Sequence, residues 1–403
     1  MKIPAAGIQR RYVNHKDEYD EAIARVLCSG IALNGEETRE LQDSWAEKYG
    51  QHTLAVNSGT GALELALRTI QAKNPSLAPV VAIPALVPSA VPSAALNAGY
   101  EIVFVDVGEN CQISAPELAA AIRENPDISV IIAVHMYGSA CDLSALHYTI
   151  NRVYPHRIFL IEDCSHAHGL RPSSERGRSI MEEGVFSVFS CYPTKNLPAF
   201  GDAGLLCTAD KEFFSHARMM SQYGWEASRV SYVQGGNYRI DELQAAILRV
   251  GMNHLEEWND RRNAIAAYYN QETLLDHTRP SYMGYNSVYH QYVQVLENNE
   301  LRNAVYFDLV AKSISPGIHY SPAVHTHVAF ESSLPDSYGV AAWKFTEGKK
   351  KAELPIAEKL AGRVLSLPVY PELTDNEVEH IAEVYNETVR SNVVRLRRSG
   401  VPG

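Results

Sequence analysis

Short apolar runs alternate with stretches of helical spacing along the first half of this chain. Thr53 to Val56, Val80 to Ile83, Ile102 to Val107, Val130 to Val134 and Ile158 to Asp163 read as strands. Helical spacing runs through Glu18 to Leu27 and, after a turn at Asn34-Gly35, through Leu41, Trp45 and Tyr49, where Gly50 supplies a C-cap. A turn at Asn57-Ser58-Gly59-Thr60-Gly61 opens an amphipathic helix, another helix starts near Pro88 or Ser89, and Leu243, Ala246, Ile247 and Val250 mark a long one. Beyond it the pattern becomes mixed. Strand signals stand at Val288 to Leu296 and near Gly317 to Tyr320, with helices around Asn303 to Lys312 and Asn376 to Val394. Glu347 to Lys351 is a solvated charge run, and the basic tail after Arg395 is expected to fray. The pattern predicts an α/β fold, with a large domain over residues 1–255 and a smaller α+β domain over residues 256–403.

Chemistry gathers between Phe159 and Thr208. Asp163 ends an apolar strand, and Lys195 lies in a turn-rich segment after a second short one, which suits an α/β sheet with its site at the strand ends. Pyridoxal phosphate would use such a pair. It needs a lysine amine to link to its aldehyde, a carboxylate to keep its ring nitrogen protonated, and donors for its phosphate. The donors are available where the strand ending at Val56 breaks into small residues, so that backbone N–H groups of a helix N-terminus can approach an anion and Thr60 adds a hydroxyl. A dinucleotide fingerprint would instead need glycine at position 64, where Glu64 stands. His135, beside Met136-Tyr137-Gly138, reads as a structural histidine at a tight turn. His166 and His168, like His325 and His327, alternate as strand ligands could. No Asp, Glu or Cys falls beside them at a ligand-like spacing, so no metal is expected.

Four ordered motifs carry a resemblance: SGTGAL from Ser58, EDCSHAHG from Glu162, FSCYPTKNLPAFGDAG from Phe189 and GGNYRIDELQAA from Gly235. In this order, and over a span from about Ser29 to the final helix, they resemble the DegT/DnrJ/EryC1/StrS family of sugar aminotransferases. The resemblance implies fold type I of the pyridoxal phosphate-dependent aminotransferases, whose large domain has a mostly parallel central sheet flanked by helices. It implies that Lys195 binds the cofactor, that Asp163 meets its ring nitrogen, that His166 bonds its phenolic oxygen, and that Gly59, Thr60, Gly61 and Ser190 hold its phosphate. Asn237 is implied to reach the other subunit's phosphate, in an obligate homodimer with shared active sites. Pro88 stands where the family usually stacks an aromatic ring on the cofactor; a proline ring can pack there without π-stacking. Ala203 stands where glycine is usual, and Asp202 where Glu or Asp is. Tyr192, His319, Tyr320 and His325 are candidates for substrate contacts, the last three from the run ISPGIHYSPAVHTHVAF. Arg239, just before the long helix, reads as a capping or salt-bridging residue.

The implied activity is a reversible ping-pong transfer of an amino group from glutamate or glutamine to a keto sugar, foremost a nucleotide-linked 4-keto or 3-keto 6-deoxyhexose. A lysine at position 195 matters here, because related sugar dehydratases carry histidine at that place. An acceptor that is a ketocyclitol or an unactivated keto sugar is one alternative. A lyase or a non-catalytic regulatory relative on the same fold is another.

Composition narrows the partners. The chain has 403 residues, 46% of them hydrophobic, which allows one large domain and a smaller one. A formal charge of −11 argues against nucleic acid as a ligand. The start MKIPAAGIQRRYVNHKDEYDEA lacks the apolar core of a signal peptide, and no long uncharged apolar run follows, so a cytoplasmic protein without membrane contact is expected. Six scattered cysteines without a C-x-x-C pair suggest reduced thiols.

Overall fold

The computed structural model describes residues 2–153, 158–171, 181, 184–226, 229–274, 287–330 and 353–398. Three helices, α1 (Ile8–Asn14), α2 (Lys16–Ser29) and α3 (Glu36–Tyr49), precede the first strand. Strands and helices then alternate as β1 (His52–Val56), α4 (Gly59–Lys73), β2 (Val80–Pro84), α5 (Ala90–Asn97), β3 (Glu101–Val105), α6 (Ala115–Glu124), β4 (Val130–Val134) and α7 (Leu143–Val153). Next come β5 (Phe159–Asp163), β6 (Phe186–Ser190), β7 (Gly204–Thr208), α8 (Lys211–Met220) and the long α9 (Glu242–Glu272). The remainder is β8 (Tyr292–Val295), α10 (Asn299–Ala311), α11 (Pro355–Arg363), β9 (Val364–Leu367) and α12 (Asp375–Arg398).

β1 to β7 form one sheet in the order β1-β7-β6-β5-β4-β2-β3. Only β7 runs antiparallel to its neighbours, so the carboxyl ends of β1, β2, β4, β5 and β6 share one edge. Alternate residues feed opposite faces: Ile132, Ile161 and Val188 pack with Leu63, Leu67 and Val91 on one side. On the other, Ile131 and Leu160 meet Leu118, Ile122 and Leu146, while Phe189 and Leu205 meet Trp45, Leu248 and Leu255. Helices on both faces explain why the strands are almost continuously apolar.

Local signals match the helix ends. Ser58 caps α4 by accepting the Gly61 N–H at 3.0 Å, Asp241 caps α9 through the Gln244 N–H at 2.9 Å, and Gly50 ends α3 at φ 69°. β8 and β9 pair antiparallel and help build a second core, where Tyr292, Leu301, Leu365, Ile381 and Tyr385 pack with Ile3 from the N-terminus. α9 runs unbroken through residue 255. Its first half joins the large-sheet core, and its Ile265, Ala266 and Tyr269 join the second.

Some expectations change. Gly317 to Tyr320 is not a strand; Gly317 makes one isolated bridge to Ser366 in β9, a strand the apolar pattern did not mark. The chain after Arg395 continues as α12 to Arg398, with Arg395, Arg397 and Arg398 in the last turn, where cations oppose the helix dipole. Glu347 to Lys351 lies outside the described residues.

Candidate active site

The shared sheet edge sets the site. Asp163 is the last residue of β5, 3% exposed, and its Oδ1 accepts the Ser165 N–H at 3.0 Å. Ser190 ends β6, and its N–H donates to Ser165 Oγ at 3.0 Å. Lys195 follows in the β6–β7 connection, where its N–H closes a turn onto the Tyr192 carbonyl at 2.8 Å. Its side chain is buried, and among the described residues it forms no ion pair. Burial pulls the amine down to about 8 against the opposing pull of Asp163. A buried ammonium without a bonded counter-ion is costly, which favours the neutral, nucleophilic amine. At pH 7 such a group is neutral in roughly a tenth of molecules.

The next residue is locked in place. Asn196 donates to Asn259 Oδ1 at 2.8 Å and to the Val288 carbonyl at 2.9 Å, and His290 Nδ1 lies 3.1 Å from its Oδ1. An amide oxygen only accepts, so His290 carries its proton on Nδ1.

An anion cradle faces the same edge. Val56 of β1 and Ser190 of β6 both pair with Gly204 of β7, which brings the start of α4 against Ser190. The approach is close enough to require glycine twice. A Cβ on Gly59 would lie 2.5 Å from Ser190 Cβ, and one on Gly204 would lie 2.6 Å from the Ser58 carbonyl. Within α4 the Gly61 N–H is taken by Ser58 Oγ and the Ala62 N–H by the Ser58 carbonyl. The N–H groups of Gly59 and Thr60 find no acceptor among the described residues, as expected at a helix start open to an anion. Lysine, carboxylate and cradle therefore fit pyridoxal phosphate.

Aromatic side chains gather beside Lys195 and Asp163. His166 Nδ1 accepts the Tyr137 N–H at 3.2 Å, leaving Nε2–H to face the Tyr320 hydroxyl at 3.4 Å. Burial keeps His166 neutral by pushing its pKa well down, with the Lys195 charge acting the same way. His319 Nδ1 lies 2.9 Å from Ser366 Oγ, and burial and Lys195 lower it to about 4. Burial and the Asp163 charge raise the Tyr320 phenol, so it stays protonated.

The other expected residues are placed differently. His325 Nε2 pairs with Glu358 at 3.1 Å and its ring lies beside Phe104 of β3, at the far edge of the sheet. Tyr192 is 51% exposed, and Asn237 is also exposed, joined to Asn57 through its carbonyl. Pro88 is partly buried, one residue before the α5 cap. Arg239 neither caps α9, which Asp241 does, nor pairs with a carboxylate among the described residues; it lies over the Tyr223 ring at 5.0 Å. His135 is structural: Nδ1 accepts the Cys141 N–H at 2.9 Å and Nε2 faces Glu162 at 3.3 Å. Burial pushes Glu162 up, yet His135 and the N–H groups of Met181 and Gly184 hold it below its ordinary value. Sequence reasoning missed Ser165, Asn196, Tyr137 and His290. The first two lay inside the quoted motifs, two residues after Asp163 and one after Lys195.

Similarity to known proteins extends over nearly the whole chain. The model of the DegT/DnrJ/EryC1/StrS aminotransferase family matches residues 13–386. The erythromycin biosynthesis sensory transduction protein EryC1 of Saccharopolyspora erythraea is 32% identical over 389 residues, 94% of this chain and 98% of that protein. The dTDP-3-amino-3,4,6-trideoxy-alpha-D-glucose transaminase of Streptomyces venezuelae is 32% identical over 396 residues, 96% of each. Among solved structures, DesV of S. venezuelae superposes with a TM-score of 0.83 at 31% identity, over 96% of this chain and 98% of that one.

Proposed function

The chain belongs to the DegT/DnrJ/EryC1/StrS aminotransferase family and is a pyridoxal phosphate-dependent transaminase; from that premise we propose that it moves an amino group from glutamate or glutamine to a nucleotide-linked keto-deoxyhexose. The observation that carries the reading is Lys195, buried beside Asp163 and without an ion-pair partner among the described residues. The sugar acceptor is supported by relatives such as the S. venezuelae transaminase, which is named for a dTDP-amino sugar.

When bound, pyridoxal phosphate supplies an electron sink that eases loss of a proton from the carbon bearing the amine. The residues of the chain do the rest. Gly59, Thr60 and Ser190 would hold the phosphate, while Gly61, whose N–H goes to Ser58 Oγ, keeps the helix start in shape. Asp163 would keep the ring nitrogen protonated, its carboxylate fixed by the Ser165 N–H. His166 would donate its Nε2 proton to the ring's phenolic oxygen, the tautomer being set by the Tyr137 N–H. Lys195 would anchor the cofactor and, once free, take a proton at Nζ and return it, its depressed pKa suiting both directions near neutrality. Tyr320 and His319 would border the acceptor, and burial excludes water from the exchange.

A homodimer with shared sites belongs to the same proposal. Exposed Ile31, Leu33, Tyr223, Val230 and Tyr232 gather around the start of α9 beside exposed Asn237, an apolar surface suited to a second copy. No helix among the described residues is long and apolar enough to cross a membrane.

The test is inhibition of glutamate-dependent turnover by dTDP and UDP. A nucleotide-sugar enzyme is inhibited by at least one of them. Turnover indifferent to both would replace the nucleotide-linked acceptor with a ketocyclitol or a free keto sugar.

A further inference from the structure

A cavity of about 310 Å³ adjoins the active-site lysine, lined among others by Thr194, His290, His319, Arg11 and Arg262. Arg262 is 2% exposed. Its Nη1 donates to the carbonyls of Tyr289 at 3.2 Å, His290 at 3.3 Å and Val369 at 2.7 Å. Its Nε has no acceptor, and among the described residues no carboxylate pairs with it. Arg11, 3% exposed, takes the nearby carboxylate: its Nε donates to Glu372 Oε1 at 2.7 Å. Two buried guanidinium groups thus share one anion, and the cavity keeps an uncompensated positive charge. Burial pulls Arg262 down to about 9, with Glu372 opposing, so the group remains charged at neutral pH. Leaving a buried charge unpaired is costly, and the planar guanidinium fork matches a carboxylate. The cavity is also close to the chemistry. Thr194 precedes Lys195, and the Lys195 charge adds to burial in lowering His319 and to burial and His166 in lowering His290.

We propose that this cavity is the carboxylate subsite of a dicarboxylic amino donor, with Arg262 as its anchoring residue. The proposal rests on the amino-donor reading above and narrows it, because a carboxylate fits where an uncharged amide would leave Arg262 unpaired. The volume suits a small acid.

The test is calorimetric titration of the holoenzyme with glutarate, a dicarboxylate that lacks the amine, using wild type, Arg262→Lys and Ala6→Phe. The first substitution keeps the charge but loses the fork; the second narrows the cavity wall and leaves the Arg262 bonds in place. Both are expected to weaken glutarate binding by about tenfold or more, the scale of a charge-assisted hydrogen bond, while dTDP or UDP binding is unchanged. A merely structural Arg262 would disturb nucleotide and glutarate binding alike. If Arg262→Lys does not fold, Ala6→Phe decides. Glutarate binding within about twofold of wild type in the variants, or no glutarate binding by a wild type that responds to glutamate, overturns the subsite. Variant-sensitive glutarate binding without any response to glutamate or glutamine would strike the donor reading alone.

Discussion

Gly59→Ala puts the tightest contact of the site under stress. The added methyl would lie 2.5 Å from Ser190 Cβ, 2.8 Å from Ser190 Cα and 3.1 Å from its nitrogen. No side-chain rotation relieves a clash with Cα and Cβ, so the first turn of α4 must move off the end of β6. Overpacking of this kind costs about 1–3 kcal/mol. The movement also carries the Gly59 and Thr60 N–H groups away from the phosphate, and each 1.4 kcal/mol lost there is about a tenfold change in affinity. Gly201→Ala is the control, since its methyl would meet only the end of the Gln244 side chain, at 3.3 Å. Fluorescence titration of the cofactor-free proteins with pyridoxal phosphate measures the difference. The dissociation constant is expected to rise about tenfold or more for Gly59→Ala and to change less than about threefold for Gly201→Ala. A Gly59→Ala protein that holds the cofactor as tightly as wild type would refute the cradle.

Three further outcomes follow from the same structure. Burial pulls the Lys195 amine down to about 8 in the fold from an ordinary 10.5, so between those values the unfolded chain binds more protons and stability rises with pH. In cofactor-free protein, Lys195→Met should therefore melt higher than wild type at pH 7, with the gap closing as pH climbs from 8 towards 10.5; a constant gap contradicts the burial cost. Glu242, 2% exposed in α9, accepts the N–H groups of Gly35 and Glu37 at 2.9 Å and of Thr38 at 3.2 Å. Glu242→Ala should cost about 2–3 kcal/mol by leaving the start of α3 uncapped, and denaturation showing less than about 0.5 kcal/mol would count against it. His325→Gln should leave KM for donor and acceptor unchanged, because its partner is Glu358; a large rise in acceptor KM would return His325 to the substrate pocket.

β1 to β6, and the placing of Asp163, Lys195 and the turn from Ser58 to Gly61 at strand ends, were legible in the sequence, because each depends on local pattern. A buried strand announces itself by an apolar run, and a helix start by Ser58 ahead of glycines. Antiparallel β7 and the sheet order were not legible, since pairing is decided by packing far along the chain. α6 could have been found: Ser114 caps it by accepting the Glu117 N–H, and proline occupies its first turn. Gly317 to Tyr320 looked like a strand but bridges only once to β9, whose four residues are too short to mark themselves. His325 shows the limit of a motif. Its place in the run beside His319 and Tyr320 suggested a substrate contact, whereas two short helical turns, Val324–Thr326 and Val328–Phe330, carry it to Glu358. Arg262 gave no signal at all, because its meaning lies in a missing partner, which only the fold reveals.

The most direct measurement is the visible absorption of the purified protein and of Lys195→Ala, before and after glutamate. A wild-type band that glutamate shifts towards the ultraviolet, and that Lys195→Ala fails to form through its own side chain, is the predicted result. A lysine-linked band persisting in Lys195→Ala, or a wild-type band indifferent to glutamate and glutamine alike, would contradict the assignment of Lys195 as the group that binds the cofactor and moves the proton.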